Sequence, residues 1–263
     1  MTLLISMPMF TEEPRISLAN IEAFALENWT DVDAFKDATE EEGAISFTVR
    51  DSIVAIGIMP APIPWSDLEG PCSTSCLWAN AKEEISGHQY HLVVAVSSEA
   101  LSSVEAAILL TQINAALLAV VQGAIGVFWS HASLLIPRDV FIEFALSVLP
   151  EGSPVPIWVD IRVGPGEQGA STGFTTGLAA FGMMEIEAID APESMADLKD
   201  RLTGLVDYLL QNGPVIKNGD TVGEDENERI KVVYKKSKLG HKGKVMRLNY
   251  SNGKPKRFSL KFW

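Results

Sequence analysis

VEAAILLTQINAALLAVV, residues Val104–Val121, is the stretch on which the fold turns. Apolar residues fall on every side of a helix wound at 3.6 residues per turn, so no stripe is left for water. The run also holds Glu105, Thr111, Gln112 and Asn114, and it is short for a bilayer span. The spacing therefore predicts a buried helix of a soluble protein over residues 102–122, covered on nearly all sides.

Working outward toward the N-terminus, His91 to Val96 reads as a buried strand. A helix precedes it from about Trp65 to Glu84, broken at Gly70-Pro71. Three prolines in Pro60-Ala61-Pro62-Ile63-Pro64 cannot donate ladder hydrogen bonds, so the chain leaves its sheet there. Ala44–Arg50 alternates Ile45, Phe47 and Val49 with Ser46 and Thr48, as a half-buried strand does, and Ile53–Met59 is its hairpin partner. Ser17 opens a helical pattern ending near Trp29. Leu3–Met7 is apolar without a basic leading region, and reads as a first buried strand rather than a signal peptide. The order is β-α-β-β-α-β, that of a ferredoxin-like unit.

The same order recurs beyond the apolar helix. Strands are expected at Ile125–Ser130, Pro156–Val163 and within Gly173–Ile189, with a helix at Arg138–Val148 after Pro137. Ser194 and Asp197 fit a helix N-cap, Leu198, Leu202, Leu205 and Leu209 form a stripe, and Asn212-Gly213-Pro214 ends the helix. The fold class expected is α+β, with two tandem ferredoxin-like units around a central helix. The divisions are 1–101, the linking helix 102–122, 123–228, and a basic β-rich segment 229–263 that completes the second sheet. One large mixed α+β sheet is the alternative.

Charge is divided along the chain. Residues 1–228 hold all 34 Asp and Glu against nine Lys and Arg, a formal −25, while residues 229–263 hold twelve Lys and Arg and no acid, a formal +12. An acidic body repels nucleic acid and anionic membrane, and suits a basic protein partner. Within the basic segment Ile230, Val232 and Tyr234 alternate with Lys231 and Lys235, and Val245–Tyr250 and Phe258–Phe262 look similar, predicting short antiparallel strands. Two cysteines, Cys72 and Cys76, make no disulfide framework, so a reducing, cytoplasmic setting is expected.

Thr175-Thr176-Gly177-Leu178 and Gly182-Met183-Met184-Glu185-Ile186-Glu187 form a distinctive set with the segment that follows the last helix. That segment runs Asn212-Gly213-Pro214-Val215-Ile216-Lys217-Asn218-Gly219-Asp220-Thr221-Val222-Gly223, then Glu228-Arg229-Ile230-Lys231-Val232. Together these resemble the bacterial domain-of-unknown-function family numbered 4261. Gly126-Val127-Phe128-Trp129-Ser130 and Pro156-Ile157-Trp158-Val159 are similar to it as well, extending the resemblance over roughly residues 90–250. It implies a bacterial cytosolic origin and transfers no catalytic residue.

Several groups invite chemistry. Cys72 and Cys76 followed by His88 and His91 imitate a zinc ligand set, but His88 and His91 fall on opposite faces of an extended strand, so no metal is assigned. Trp129-Ser130-His131 at a strand end brings a hydroxyl and a base together without a nucleophile elbow around them. Gly164-Pro165-Gly166-Glu167-Gln168-Gly169 lacks a phosphate-loop lysine and reads as a hairpin tip, so no cofactor is assigned. Trp129, Ser130, His131, Arg162, Thr175 and Thr176 remain as ligand-binding candidates.

The function expected is non-catalytic binding of a basic partner, of the kind an immunity protein performs on a toxin. The alternative is an enzyme or small-ligand module using Ser130, His131, Arg162 or Thr175 in a pocket between the two units. A third reading places nucleic acid on the basic segment.

Overall fold

Strand β1 (Thr2–Phe10) lies in the interior of the first sheet, which is built from residues far apart in sequence. The structure is a computed structural model and describes residues 1–41, 43–223 and 228–250. After β1 come α1 (Leu18–Asn28), the strands β2 (Lys36–Glu41), β3 (Ala44–Val49) and β4 (Ser52–Met59), and helices α2 (Trp65–Thr74) and α3 (Ala81–Ile85). Then follow β5 (Tyr90–Ser98), α4 (Ser103–Val120), β6 (Ala124–Trp129), β7 (Leu134–Pro137), α5 (Arg138–Glu143) and α6 (Val155–Trp158). The seven strands form one sheet in the order β2-β3-β4-β5-β1-β6-β7, with every neighbouring pair antiparallel.

Register explains the core. Phe47 pairs with Val54, Val54 with Val96, and Val96 with Leu4, so one row of apolar side chains crosses four strands. This face packs against α4, as the bond from Ser6 Oγ to Asn114 Oδ1 (2.9 Å) shows. On the opposite face Met9, Phe128 and Leu135 meet Ile63, Leu68, Trp78, Ala81 and Ile85 from the α2–α3 region. A side chain at Gly126 would have no room there: its Cβ would sit 2.4 Å from the Ile136 carbonyl and 2.5 Å from the Trp78 ring.

Helix α4 starts in a capping box, with Ser102 Oγ accepting from the Glu105 amide and Glu105 accepting from the Ser102 amide. By length and composition it is apolar enough to cross a membrane, yet 67% of it is buried inside the fold. Its polar residues find partners there. Asn114 bonds Ser6, Thr111 Oγ1 accepts from Trp158 Nε1 at 2.8 Å, and Gln112 donates to Asp31 at 2.9 Å. The expected cover was a sheet on either side. Instead β1, β5 and β6 cover one flank, and α1 and α5 cover others.

Val159–Trp263 is a second unit, and the chain divides at 158/159 rather than about the apolar helix. Strands β6 and β7, whose residues were expected in the second unit, belong to the first sheet. The first βαββαβ run does not close as a four-stranded ferredoxin-like unit, because β5 lies between β4 and β1 and β1 accepts β6 on its free side. The strand expected over Pro156–Val163 begins later. Pro154 precedes a single helical turn, α6, Pro156 lies within that turn, and β8 (Asp160–Pro165) follows it.

The second sheet has the order β11-β12-β13-β10-β9-β8. Its strands are β8, β9 (Ser171–Thr176), β10 (Ile186–Ala191), β11 (Thr221–Val222), β12 (Ile230–Lys236) and β13 (Lys244–Asn249). Residues 166–170 turn β8 into β9, as the glycine-rich run predicts. Helix α7 (Met195–Asn212) has the expected N-cap, Ser194, whose Oγ accepts from the Asp197 amide at 3.1 Å, and it ends at Gly213 with φ +75°. Its buried stripe is Leu198, Leu202, Val206 and Leu209, with Leu205 only half-buried. The stripe packs on the sheet so closely that a Cβ at Gly173 would lie 2.9 Å from Leu202. The basic segment supplies β12 and β13, and β13 pairs parallel to β10. The strand expected at Phe258–Phe262 lies outside the described residues.

Candidate functional site

Ser130 and His131 act on the backbone of β1. The β1–β6 pairing runs Met7 to Phe128, so continuing the ladder would set Ile5 opposite Ser130, where β6 has already ended. Side chains finish the ladder instead. Ser130 Oγ donates to the Ile5 carbonyl at 3.2 Å, and His131 Nε2 accepts from the Ile5 amide at 3.0 Å. A ring nitrogen that accepts a backbone N–H must be unprotonated, and burial holds His131 below its ordinary value of 6.5. Trp129 beside them is buried against Phe141, with ring centroids 6.3 Å apart.

His88 and His91 grip the proline-rich loop. His88 Nε2 accepts from the Ile63 amide at 2.8 Å, its Nδ1 donates to the Ile85 carbonyl, and His91 Nδ1 donates to the Ala61 carbonyl at 2.7 Å. Burial lowers the His91 value, against the opposing pull of its bond to Ala61. Cys72 packs against the α2–α3 core, where burial raises its thiol value, and Cys76 is exposed. Among the described residues no group of three or more His, Cys, Asp and Glu gathers donors for a metal ion.

In the second unit, strand alternation separates Thr175 from Thr176. Thr175 is fully buried: its Oγ1 donates to Glu185 at 2.7 Å and accepts from the Ile186 amide. Glu185 also accepts from the amides of Gly177 and Ala179, so it holds the turn after β9. Thr176 lies on the other face, opposite Asp160, and Arg162 shares that face two residues along β8. Arg162 Nε is ion-paired to buried Asp160, whose carboxyl is raised by burial against the pull of Arg162. Thus Arg162 and Thr176 come together, and Thr175 does not join them.

The strongest electrostatic features were not read from the sequence. Glu187 on β10 is wholly buried beneath the loop 237–243. Its carboxylate accepts from Ser237 Oγ, from the amides of Lys238 and Leu239, and from Arg247 Nη2 at 2.8 Å. Burial alone would raise its value; these four donors hold it below the ordinary one. Arg201 of α7 bonds Glu193 at 2.9 Å and forks onto Glu228 at 2.9 and 3.1 Å. Burial raises Glu193 despite that partner. The neighbouring Tyr250 hydroxyl is raised by burial and, next, by the charge of Glu193 beside it.

Most of these groups lie in one stretch of the chain. Residues 174–249 match the family model of a domain of unknown function, DUF4261. The DUF4261 match contains Thr175 and Thr176, the buried charges Glu185, Glu187 and Arg201, and the half-buried Glu228 and Arg247 that pair with them. It begins after β8, so Asp160 and Arg162 lie outside it. No curated protein and no solved structure matches the chain.

Proposed function

We propose that the protein works by binding rather than by catalysis, and that the acidic surface of Met1–Trp158 receives a basic protein partner. The observation that carries this is the placement of charge. That unit holds twenty Asp and Glu against five Lys and Arg. Two of the five, Arg50 and Arg138, are already ion-paired to Asp31 and Asp139. All six residues of edge strand β2 are exposed, and they carry Asp37, Glu40 and Glu41. Such charges keep other strands from pairing with an open edge, and they also steer a basic surface toward it. Neutralising a basic toxin, as an immunity protein does, is one form of this reading. The commitment of Ser130 and His131 to the backbone of β1 supports binding over nucleophilic chemistry.

The test is co-purification of the full chain at about 50 mM and about 500 mM sodium chloride, where screening lengths differ about threefold. The expected result is a partner rich in Lys and Arg, held at low salt, released at high salt, and lost on joint replacement of Asp37, Glu40 and Glu41 by Lys. A partner indifferent to both salt and the replacements would overturn the reading. The small-ligand alternative has one observation in its favour, the half-exposed Arg162.

A further inference from the structure

Sheet pairing sets Arg162, Phe174, Glu187 and Arg247 side by side across β8, β9, β10 and β13. Gly173, one residue from Phe174, faces α7, so this row lies on the opposite face of the sheet. Its four members are not equally committed. Glu187 is saturated by four donors, and Arg247 gives Nη2 both to Glu187 and to the Lys236 carbonyl. Arg162 gives only its Nε, to Asp160; among the described residues its two terminal nitrogens have no partner. The Asp160 side chain is 4% exposed and the Arg162 side chain 35%.

A guanidinium fixed through Nε by a buried carboxylate cannot swing freely, and its outer edge presents two parallel N–H donors. That edge matches the two oxygens of a carboxylate or phosphate. A second observation points the same way. Arg247 Nε, a donor in every protonation state, is buried without an acceptor among the described residues, and His241 Nε2 is buried there without a hydrogen-bond partner. The His241 ring packs edge-on against Phe174, at 5.6 Å between centroids. A buried donor lacking an acceptor is costly, and the usual resolution is an acceptor from outside the chain, water or an ion. The carboxylates of the row do not serve, since Asp160 and Glu187 are already engaged. Lys238 and Lys242, exposed on the loop that carries His241, make the local field positive.

We propose that the face formed by Arg162, Phe174 and His241 binds a small oxyanion, a carboxylate or phosphate group, held by the terminal nitrogens of Arg162 with the apolar part of its ligand against Phe174. This is a binding site in which no bond is made or broken. It stands independently of the acidic surface of the other unit.

The experiment is a ¹H–¹⁵N titration of the full chain with inorganic phosphate and, separately, with succinate, at constant ionic strength set by chloride. Saturable shifts are expected at the amides of Phe174, Thr176 and His241. Arg162→Gln should weaken binding by about tenfold or more, the worth of one charge-assisted hydrogen bond. Arg162→Lys, which keeps the charge beside Asp160 but loses the fork, should retain the native spectrum and fall between the two. Tighter binding of phosphate assigns the site to phosphorylated ligands, and tighter binding of succinate assigns it to carboxylates. The proposal is overturned if neither anion gives saturable shifts at those amides. Shifts confined to Lys235, Lys236 and Lys244 and equal in the Arg162→Lys variant would also overturn it.

Discussion

The two units bury polar groups of different kinds. In Met1–Trp158 the buried polar side chains that hold elements together are mostly uncharged: Ser6 with Asn114, Thr111 with Trp158, and His88 and His131 on backbone amides. In the second unit they are charged, with Glu187 on Arg247 and Glu193 and Glu228 on Arg201. A neutral partner that is lost leaves an unmade hydrogen bond, whereas a lost ionic partner leaves a charge in a medium that solvates it poorly. The first unit should therefore tolerate single losses better but respond earlier to acid, through His91 and His131.

The largest expected effect breaks the ionic side of this contrast. Arg201→Met strands the buried Glu193 carboxylate and should cost about 3–5 kcal/mol in denaturant unfolding. A loss below about 1 kcal/mol would mean that α7 is held by its Leu198–Leu209 stripe alone.

Next in size is acid. His131 and His91 have folded values below 6.5, so their contribution to stability is fully present above pH 6.5. It declines as pH falls from there toward the folded values, because the unfolded chain takes up protons first. The slope is up to about 1.4 kcal/mol per pH unit for each ring. Glu187, lowered from 4.5, loses its contribution only below that value, and raised Glu193 and Asp160 favour the fold as they protonate. Hydrogen exchange measured between pH 7.5 and 5 should thus show β1 losing protection before β10. Loss at β10 first would reverse the comparison.

The smallest effect isolates a local contribution. Ser194→Ala removes the acceptor for the Asp197 amide and should cost about 1 kcal/mol, with exchange rising only in the first turn of α7. Exchange rising across the whole helix would show that the cap and the Arg201 network act as one.

Local features of the fold were legible because local sequence determines them. The cap at Ser194, the stop at Gly213, the 166–170 hairpin and the alternation of Ile230, Val232 and Tyr234 each follow from side-chain chemistry within a few residues. Which sheet a strand joins does not. Ala124–Trp129 carries the same apolar pattern whether it pairs with β1 or opens a second unit, and only the distant register with Met7–Phe10 decides. The strand expected over Pro156–Val163 starts only at Asp160, because Pro154 and Pro156 begin that stretch as a helical turn. Of the ligand-binding candidates, Arg162 and Thr176 share one face of the β8–β9 pair and Thr175 takes the other. Glu187 and Arg247 stand 60 positions apart and Arg201 and Glu228 stand 27 apart, and no periodicity links them. Alternation along β9 did carry a signal that separates Thr175 from Thr176, once Gly173 is known to face a helix.

The interior position of β1 has a kinetic consequence. Its residues are synthesised well before the strands on either side of it, β5 and β6, which begin at Tyr90 and Ala124. At about 5–20 residues per second a ribosome needs on the order of ten seconds to span that interval. Until β5 is complete at Ser98, an apolar nine-residue strand has neither neighbour. The loops that must close are long, so folding of this unit should be slow relative to helical proteins of similar size. Pro8, which lacks an amide hydrogen, leaves the waiting strand a poorer template for pairing with another chain.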